Sequence, residues 1–327
     1  MNNVKHNVDI KIIHSNTDGY KSKKESINEI ADKESPDIMT LNDTNLKGNL
    51  KVKVPGYFSF NKNREKYKGG VATVIANYLK HNTMKVAEGK EEDEYIITRI
   101  DNTIPEINII NIYGTQESKT SKDEIEHGWY RLLKEIHDIE NRNEAVILIG
   151  DMNRHVGNGE YGIRGNISKI SHGGQLIQEM IKDGQYILIN HLDLVKGGPW
   201  TFVDRQDNNR KSCLDLAIMS VALNPYLKTA VIDSERNFTP RRVTKTKNTI
   251  KSTYTDHYSM KLELKGIPKK IQKENQPPTL NINKPGGRLK FKSLTNEVAE
   301  KVKDTIDEDI DIDKVMNKID IIERKFF

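Results

Sequence analysis

Asp151, Asn153 and His155 alternate along the stretch that follows Gly150, and the residues before it, Val146, Ile147, Leu148 and Ile149, are all apolar. An apolar run of that length bounded by glycine reads as a buried strand. Residues two apart in an extended segment point the same way, so an acid, an amide and an imidazole would converge where the strand ends. Sheet enzymes place their chemistry at such ends. A plain strand-to-loop turn would also use Gly, Asp and Asn, so the rest of the chain has to decide.

The arrangement recurs. Residues 8–13 alternate apolar and polar and run into a polar turn that holds Asn16. Residues 37–41 read as a second strand, followed by Asn42 and Asp43. Residues 107–112 end at Tyr113, residues 214–219 carry Asp215 near their start, and Asp256 and His257 precede an apolar run at 260–264. Together these residues contain the parts of a metal-assisted phosphodiester hydrolase. Carboxylate oxygens can hold a hard divalent cation. A base can orient or deprotonate water. Further donors can hold phosphate oxygens as charge builds on them. Neighbours in a strand point apart, so a carboxylate partner for His257 must come from somewhere other than Asp256, and Asp215 is the candidate.

Helical periodicity over 22–33, 123–138 and 173–183 supplies covering helices. Further strands are expected over 56–60, 69–75, 95–100, 186–190, 199–202 and 227–233. Many short strands with few helices between them argue for an α/β fold, a two-sheet sandwich with flanking helices. A doubly wound parallel sheet would need a helix after nearly every strand. Residues 62–68 and 238–251 read as basic loops, the second holding Arg241 and Arg242, and such loops can track a phosphate backbone. Trp200 could stack beside the site, although a core aromatic reads the same way.

No apolar run approaches the ~20 residues needed to span a bilayer, and the first residues lack the apolar centre of a signal peptide. The single cysteine, Cys213, excludes an internal disulfide framework and a cysteine-based zinc cluster. An intracellular protein, nuclear or cytoplasmic, with no membrane partner is expected. The net charge of +5 permits a polyanionic partner without demanding one. Composition shifts after Gly266, where Pro277, Pro278, Pro285, Gly286 and Gly287 mark a linker. The expected organisation is a catalytic domain over 1–266, a linker over 267–288 and a short helical tail over 289–327, the start of a longer polyprotein segment.

These residues resemble the exonuclease-endonuclease-phosphatase superfamily, the DNase I-like fold. The resemblance rests on Asn16 and Gly19, on Pro36 to Thr44, on the Gly69-Gly70-Val71 stretch, on Tyr113, on Gly150-Asp151-Met152-Asn153, on Ser212-Cys213-Leu214-Asp215 and on Thr255-Asp256-His257. Within the superfamily the chain is most similar to the endonuclease domains of non-LTR retrotransposons, through His155, through Pro199-Trp200-Thr201 and through Ser212 with Asp215. The resemblance implies a magnesium-dependent DNA endonuclease, with manganese as the other cation, that leaves a 3′-hydroxyl and a 5′-phosphate on double-stranded DNA. It implies a reverse transcriptase domain as a partner in a longer polyprotein. It assigns Asp151, Asn153, His257, Asp215 and Tyr113 to catalysis and Asp43, Asn16 and Asp256 to the metal; His155, Trp200 and Thr201, from the retrotransposon-like features, and Arg241 and Arg242, from the basic loop, are the candidates for DNA contact. The family's Gln-Glu pair is Asn42-Asp43 here, each one methylene shorter. Another superfamily phosphodiesterase, a phosphatase of lipids or phosphoinositides, or an inactive binding remnant are the alternative readings.

Overall fold

The computed structural model describes residues 7–64, 68–90, 93–163, 169–207, 209–245 and 249–270. The linker and tail expected beyond Gly266 fall almost wholly outside them.

The first half of the chain runs β1 (Asn7–Asn16), α1 (Tyr20–Glu34), β2 (Ile38–Asn42), β3 (Tyr57–Lys62), β4 (Val71–Ala76), β5 (Thr83–Glu88), β6 (Glu94–Ile100), β7 (Ile107–Tyr113) and α2 (Lys122–Glu140). The second half runs β8 (Ala145–Asp151), α3 (His172–Lys182), β9 (Tyr186–Leu188), β10 (Val195–Lys196), β11 (Phe202–Val203), β12 (Lys211–Ser212), β13 (Asp215–Ser220), β14 (Leu227–Ile232), β15 (Arg241–Lys245), β16 (Ile250–Tyr254) and β17 (Met260–Pro268). One sheet has seven strands in the order β10-β14-β17-β1-β2-β4-β3, and the other has six in the order β5-β6-β7-β8-β13-β9. The two-sheet sandwich is therefore present.

The core follows from the strand pattern. Ile10, Ile12, Ile38 and Ile75 of the first sheet bury against Ile107, Ile109, Ile147, Ile149 and Met219 of the second. Alternate residues of the second sheet, Ile97, Ile110, Val146 and Leu148, face outward and are covered by Leu132, Ile136 and Ile139 of α2 and by Ile177 and Ile181 of α3. Ile13, Met39, Leu41 and Val74 on the outer face of the first sheet are covered by Ile27 and Ile30 of α1. Strands buried on both faces read as continuous apolar runs rather than as alternation, which is why β8 looks the way it does. The helix α2 starts on a capping box in which Ser121 and Glu124 satisfy each other's backbone N–H groups. Among the described residues no helix is long and apolar enough to cross a membrane.

Three features differ from the sequence reading. Residues 238–251 were expected as a basic loop, but Arg241–Lys245 and Ile250–Tyr254 pair as antiparallel strands, β15 with β16; Arg, Thr and Lys dominate them and give little apolar signal. The strand β9 stops at Leu188 and the chain turns into a short 3-10 helix over Ile189–His191. The edge strand β5 is mostly exposed and carries charge, so no apolar period announces it.

Candidate active site

The pairing of strands brings the polar ends together. Parallel β1 and β2 place Asn16 opposite Asn42, and parallel β7 and β8 place Tyr113 opposite Asp151. Antiparallel β13 begins where β8 ends, so Asp215 stands opposite Asp151. Gly150 permits the close approach of β7, since a Cβ there would lie 1.8 Å from the Ile112 carbonyl oxygen. The two sheets are joined at this edge by side chains. Asn16 Nδ2 donates to Asp151 Oδ2 at 2.8 Å, the Asp151 amide donates to Asn42 Oδ1 at 2.7 Å, and Asn42 Nδ2 donates to Asn111 Oδ1 at 2.7 Å.

His257 lies between two carboxylates. Its Nδ1 is 2.7 Å from Asp215 Oδ2, and its Nε2 is 3.8 Å from Asp151 Oδ2. The phenyl ring of Phe202 meets the imidazole edge to face at 5.1 Å between centroids. Burial alone would lower the pKa of His257, but the Asp215 and Asp151 carboxylates overturn that and hold it at about 9. Burial would raise Asp215, yet the charge of His257 and the hydrogen bonds from His14 and His257 keep its carboxyl well below the usual range. Burial dominates at Asp151 and lifts it to about 6, with His257 working against the rise and Asp215 adding to it. The pKa of Tyr113 is pushed well up by burial, then by the carboxylates of Asp43, Asp151 and Glu94, so the phenol stays protonated.

A cleft of about 980 Å³ opens over these residues and is lined by Asn16, Asp43, Tyr113, Asp151, Asn153, Asp256 and His257 among others. Asp43 Oδ1 is buried there with no hydrogen-bond partner among the described residues, and burial raises its pKa. Its backbone is left-handed, with φ at +50°, which a non-glycine residue adopts at a cost in strain. An unpaired buried carboxylate oxygen in a residue that lines the cleft together with Asn16 fits a hard divalent cation. The atoms of Asp151, Asp215 and His257 also lie within 4.8 Å of one another, close enough to share an ion. That trio fits a cation less well, because the two Asp215 oxygens are already taken up by separate imidazoles, His14 and His257. Asp256 forms an ion pair with Arg205, which also reaches Asp18.

The other expected site residues divide. Asn153 lies in the cleft, with its amide nitrogen donating to the Gly114 carbonyl at 2.8 Å. Arg242 is exposed and lines a neighbouring groove that shares Asp18 and Arg205 with the cleft. Thr201 is fully buried, and its hydroxyl accepts from the amides of Leu214 and Asp215, so it supports the start of β13 and cannot touch DNA. Arg241 is engaged with Glu29 of α1. Trp200 and His155 are half-buried and do not line the cleft. Sequence reasoning missed His14, Asn111 and Arg205. His14 was within reach, because it sits two residues before Asn16 and so on the same strand face; Arg205 lies in a polar turn and carries no such signal.

The fold is shared with solved structures. The AP endonuclease LMAP from Leishmania major is 15% identical with a TM-score of 0.56, over 78% of this chain and 87% of that one. The endonuclease domain of TRAS1, a telomere-specific non-LTR retrotransposon, is 14% identical with a TM-score of 0.53, over 79% and 98%. The 3′ phosphatase NExo from Neisseria, bound to a product DNA hairpin, is 17% identical with a TM-score of 0.58, over 78% and 99%. No curated protein matches the sequence. Residues 3–257 match the family described as Endonuclease/Exonuclease/phosphatase, and that span contains every residue of the cleft. This chain belongs to the Endonuclease/Exonuclease/phosphatase family.

Proposed function

We propose that the protein is a metal-dependent DNA endonuclease that nicks one strand and leaves a 3′-hydroxyl and a 5′-phosphate. The observation that carries this reading is the run of polar contacts from Asn16, hydrogen-bonded to Asp151, through the charged contact of Asp151 with His257 to the hydrogen bond of His257 with Asp215, set beside the unpaired carboxylate oxygen of Asp43. Magnesium or manganese, held by Asp43, Asn16 and Asp256, would neutralise charge on the phosphate oxygens.

The chain's own residues then divide the work. Asp151 orients a water and accepts its proton, the raised pKa matching it to that task near neutral pH. The water oxygen bonds to phosphorus as the bond from phosphorus to the 3′ oxygen breaks, and the departing 3′ oxygen takes a proton from a second water in the open cleft. His257, held protonated by Asp215 and Asp151, lies where positive charge offsets the charge building on the phosphate oxygens. Asn153 and Tyr113 line the cleft from the ends of the second sheet and supply donors to the same oxygens. The groove with Arg242 and Lys251 offers cations to the backbone beyond the reacting phosphate. The likeness to the endonuclease domain of TRAS1 supports a retrotransposon setting; in that setting the proposed reaction is target-site cleavage of double-stranded DNA, with a reverse transcriptase as the companion domain.

A supercoiled plasmid assay tests this. With magnesium or manganese the relaxed form should appear, and its 3′ ends should support polymerase extension. EDTA, or Asp151→Ala with His257→Ala together, should abolish it. Metal-dependent release of phosphate from 3′-phosphorylated ends without nicking would replace the endonuclease with a phosphatase. No reaction on either substrate would leave a binding protein.

A further inference from the structure

We infer that His14 is a positioning residue, which clamps Asp215 from the interior and so aims the imidazole of His257 at the reacting phosphate. The inference rests on the endonuclease reading above for its kinetic consequence, and on geometry alone for the clamp.

His14 is fully buried in β1. Its Nε2 is 3.0 Å from Asp215 Oδ1, and its Nδ1 is 3.1 Å from the hydroxyl of Thr40. Thr40 stands opposite His14 in the parallel pairing of β1 with β2, so the backbone register presets that contact. Asp215 is ionised, so the ring nitrogen facing it donates. The Thr40 hydroxyl holds the other nitrogen, so the ring is pinned at both of its polar atoms.

A buried histidine with both nitrogens satisfied could be core filling and nothing more. Its partner argues otherwise. The backbone amide of Asp215 is fixed by the Thr201 hydroxyl at 2.9 Å, which leaves the carboxylate free to turn about its own side-chain bonds. Two imidazoles on opposite oxygens remove that freedom: His14 occupies Oδ1 and His257 occupies Oδ2. Without His14 a buried anionic oxygen would lose its interior donor, a costly state that rotation or protonation would relieve. Rotation releases His257 Nδ1, and protonation replaces its charged acceptor with a weaker neutral one. The ring would then lose the orientation that places Nε2 beside Asp151. His14 thus acts on the reaction through Asp215 and touches no reacting atom.

The test uses the full chain and the variants His14→Leu, His14→Gln and Thr40→Val. Thermal melting establishes that each is folded. The spectroscopic readout is the downfield ring-proton resonance of His257 Nδ1–H in protein labelled with 15N-histidine, recorded without metal or DNA. The kinetic readout is nicking, separated into kcat and KM. For His14→Leu the expected result is a loss of kcat of about 10–100-fold, the range typical of removing a supporting hydrogen bond, with KM changed by less than about twofold and the His257 resonance shifted or broadened. Glutamine places an amide N–H near the position of Nε2, so His14→Gln should recover most of both signals. A folded His14→Leu protein with wild-type kcat and an unmoved resonance would overturn the clamp. If His14→Leu does not fold, Thr40→Val decides. That variant keeps the imidazole but removes the hydroxyl that pins its far side, and it should broaden the His257 resonance and lower kcat, whereas wild-type values for both would overturn the inference. The resonance needs no substrate. A response of the resonance in a protein that never nicks DNA would therefore defeat the endonuclease reading and leave the clamp standing.

Discussion

Asp151 and His257 are displaced from their ordinary ranges in the same direction, upward to about 6 and about 9, for different reasons: burial at the carboxylate and flanking carboxylates at the imidazole. The two shifts set a window for catalysis. Below about 6 Asp151 carries a proton and cannot accept one from water, so activity rises as pH climbs through that value. Above about 9 His257 loses its proton and its charge, so activity falls. We expect kcat/KM for nicking at saturating metal to be bell-shaped with those limbs. Replacing His257 with Gln should lower the rate and remove the alkaline limb. An alkaline limb that survives the substitution would take the role of charge stabiliser away from His257. Much of this was legible in the chain. His257 and its separation from Asp256 by strand geometry pointed to Asp215 as the partner, and the two are 2.7 Å apart. What went unread was the other side of Asp215: His14 shares a strand face with Asn16, but it stands where the strand was expected to end in a polar turn, and its partner comes from the other sheet.

The strands carry the site through a polar seam between the sheets. Asn111 of β7 is fully buried, accepts from Asn42 Nδ2, and donates to the Ala72 carbonyl at 2.9 Å. Asn42 in turn holds the amide of Asp151. The seam links β2 and β4 of one sheet to β7 and β8 of the other at the end where the cleft opens. Asn111→Leu keeps the volume but strands the Asn42 amide and the Ala72 carbonyl in the interior, which should cost about 2–4 kcal/mol. Urea melting in EDTA measures that cost away from any metal. Because Asn42 also positions Asp151, kcat should fall in the same variant, and a loss of stability with full kcat would separate the seam from the site. The strands around this seam were readable because burial on both faces makes them apolar throughout. The shorter Asn42-Asp43 pair reads differently once placed. Asn42 is engaged with Asn111 and Asp151, and Asp43 still lines the cleft with an unpaired oxygen. The exposed strand β5 and the hairpin of β15 with β16 escaped notice for the opposite reason, since solvent-facing strands need no apolar period.

At the scale of the whole molecule, the two-sheet architecture followed from the scarcity of helices between strands, while the strand order, which interleaves the first and last described strands, did not. The last described strand, β17, lies beside β1 in the centre of its sheet, between β1 and β14. The composition change at Gly266 marks where polar residues and prolines begin, not where pairing stops. Ile267 is fully buried and pairs with Val8, and Pro268 pairs with Asn7. At the last residue of the strand the Pro268 carbonyl accepts from Ile104 at 2.8 Å, and beyond it the Lys270 amide donates to the Asn102 carbonyl at 2.7 Å. Burial, not composition, therefore sets the end of this sheet. A chain ending at Gly266 should be less stable than one ending at Ile271 by about 2–5 kcal/mol, the cost of emptying a buried isoleucine site with its backbone bonds. Chemical denaturation of the two proteins side by side gives the difference. Equal midpoints would mean that the last residues of β17 contribute nothing, and that the edge shared with residues 102–104 closes without them.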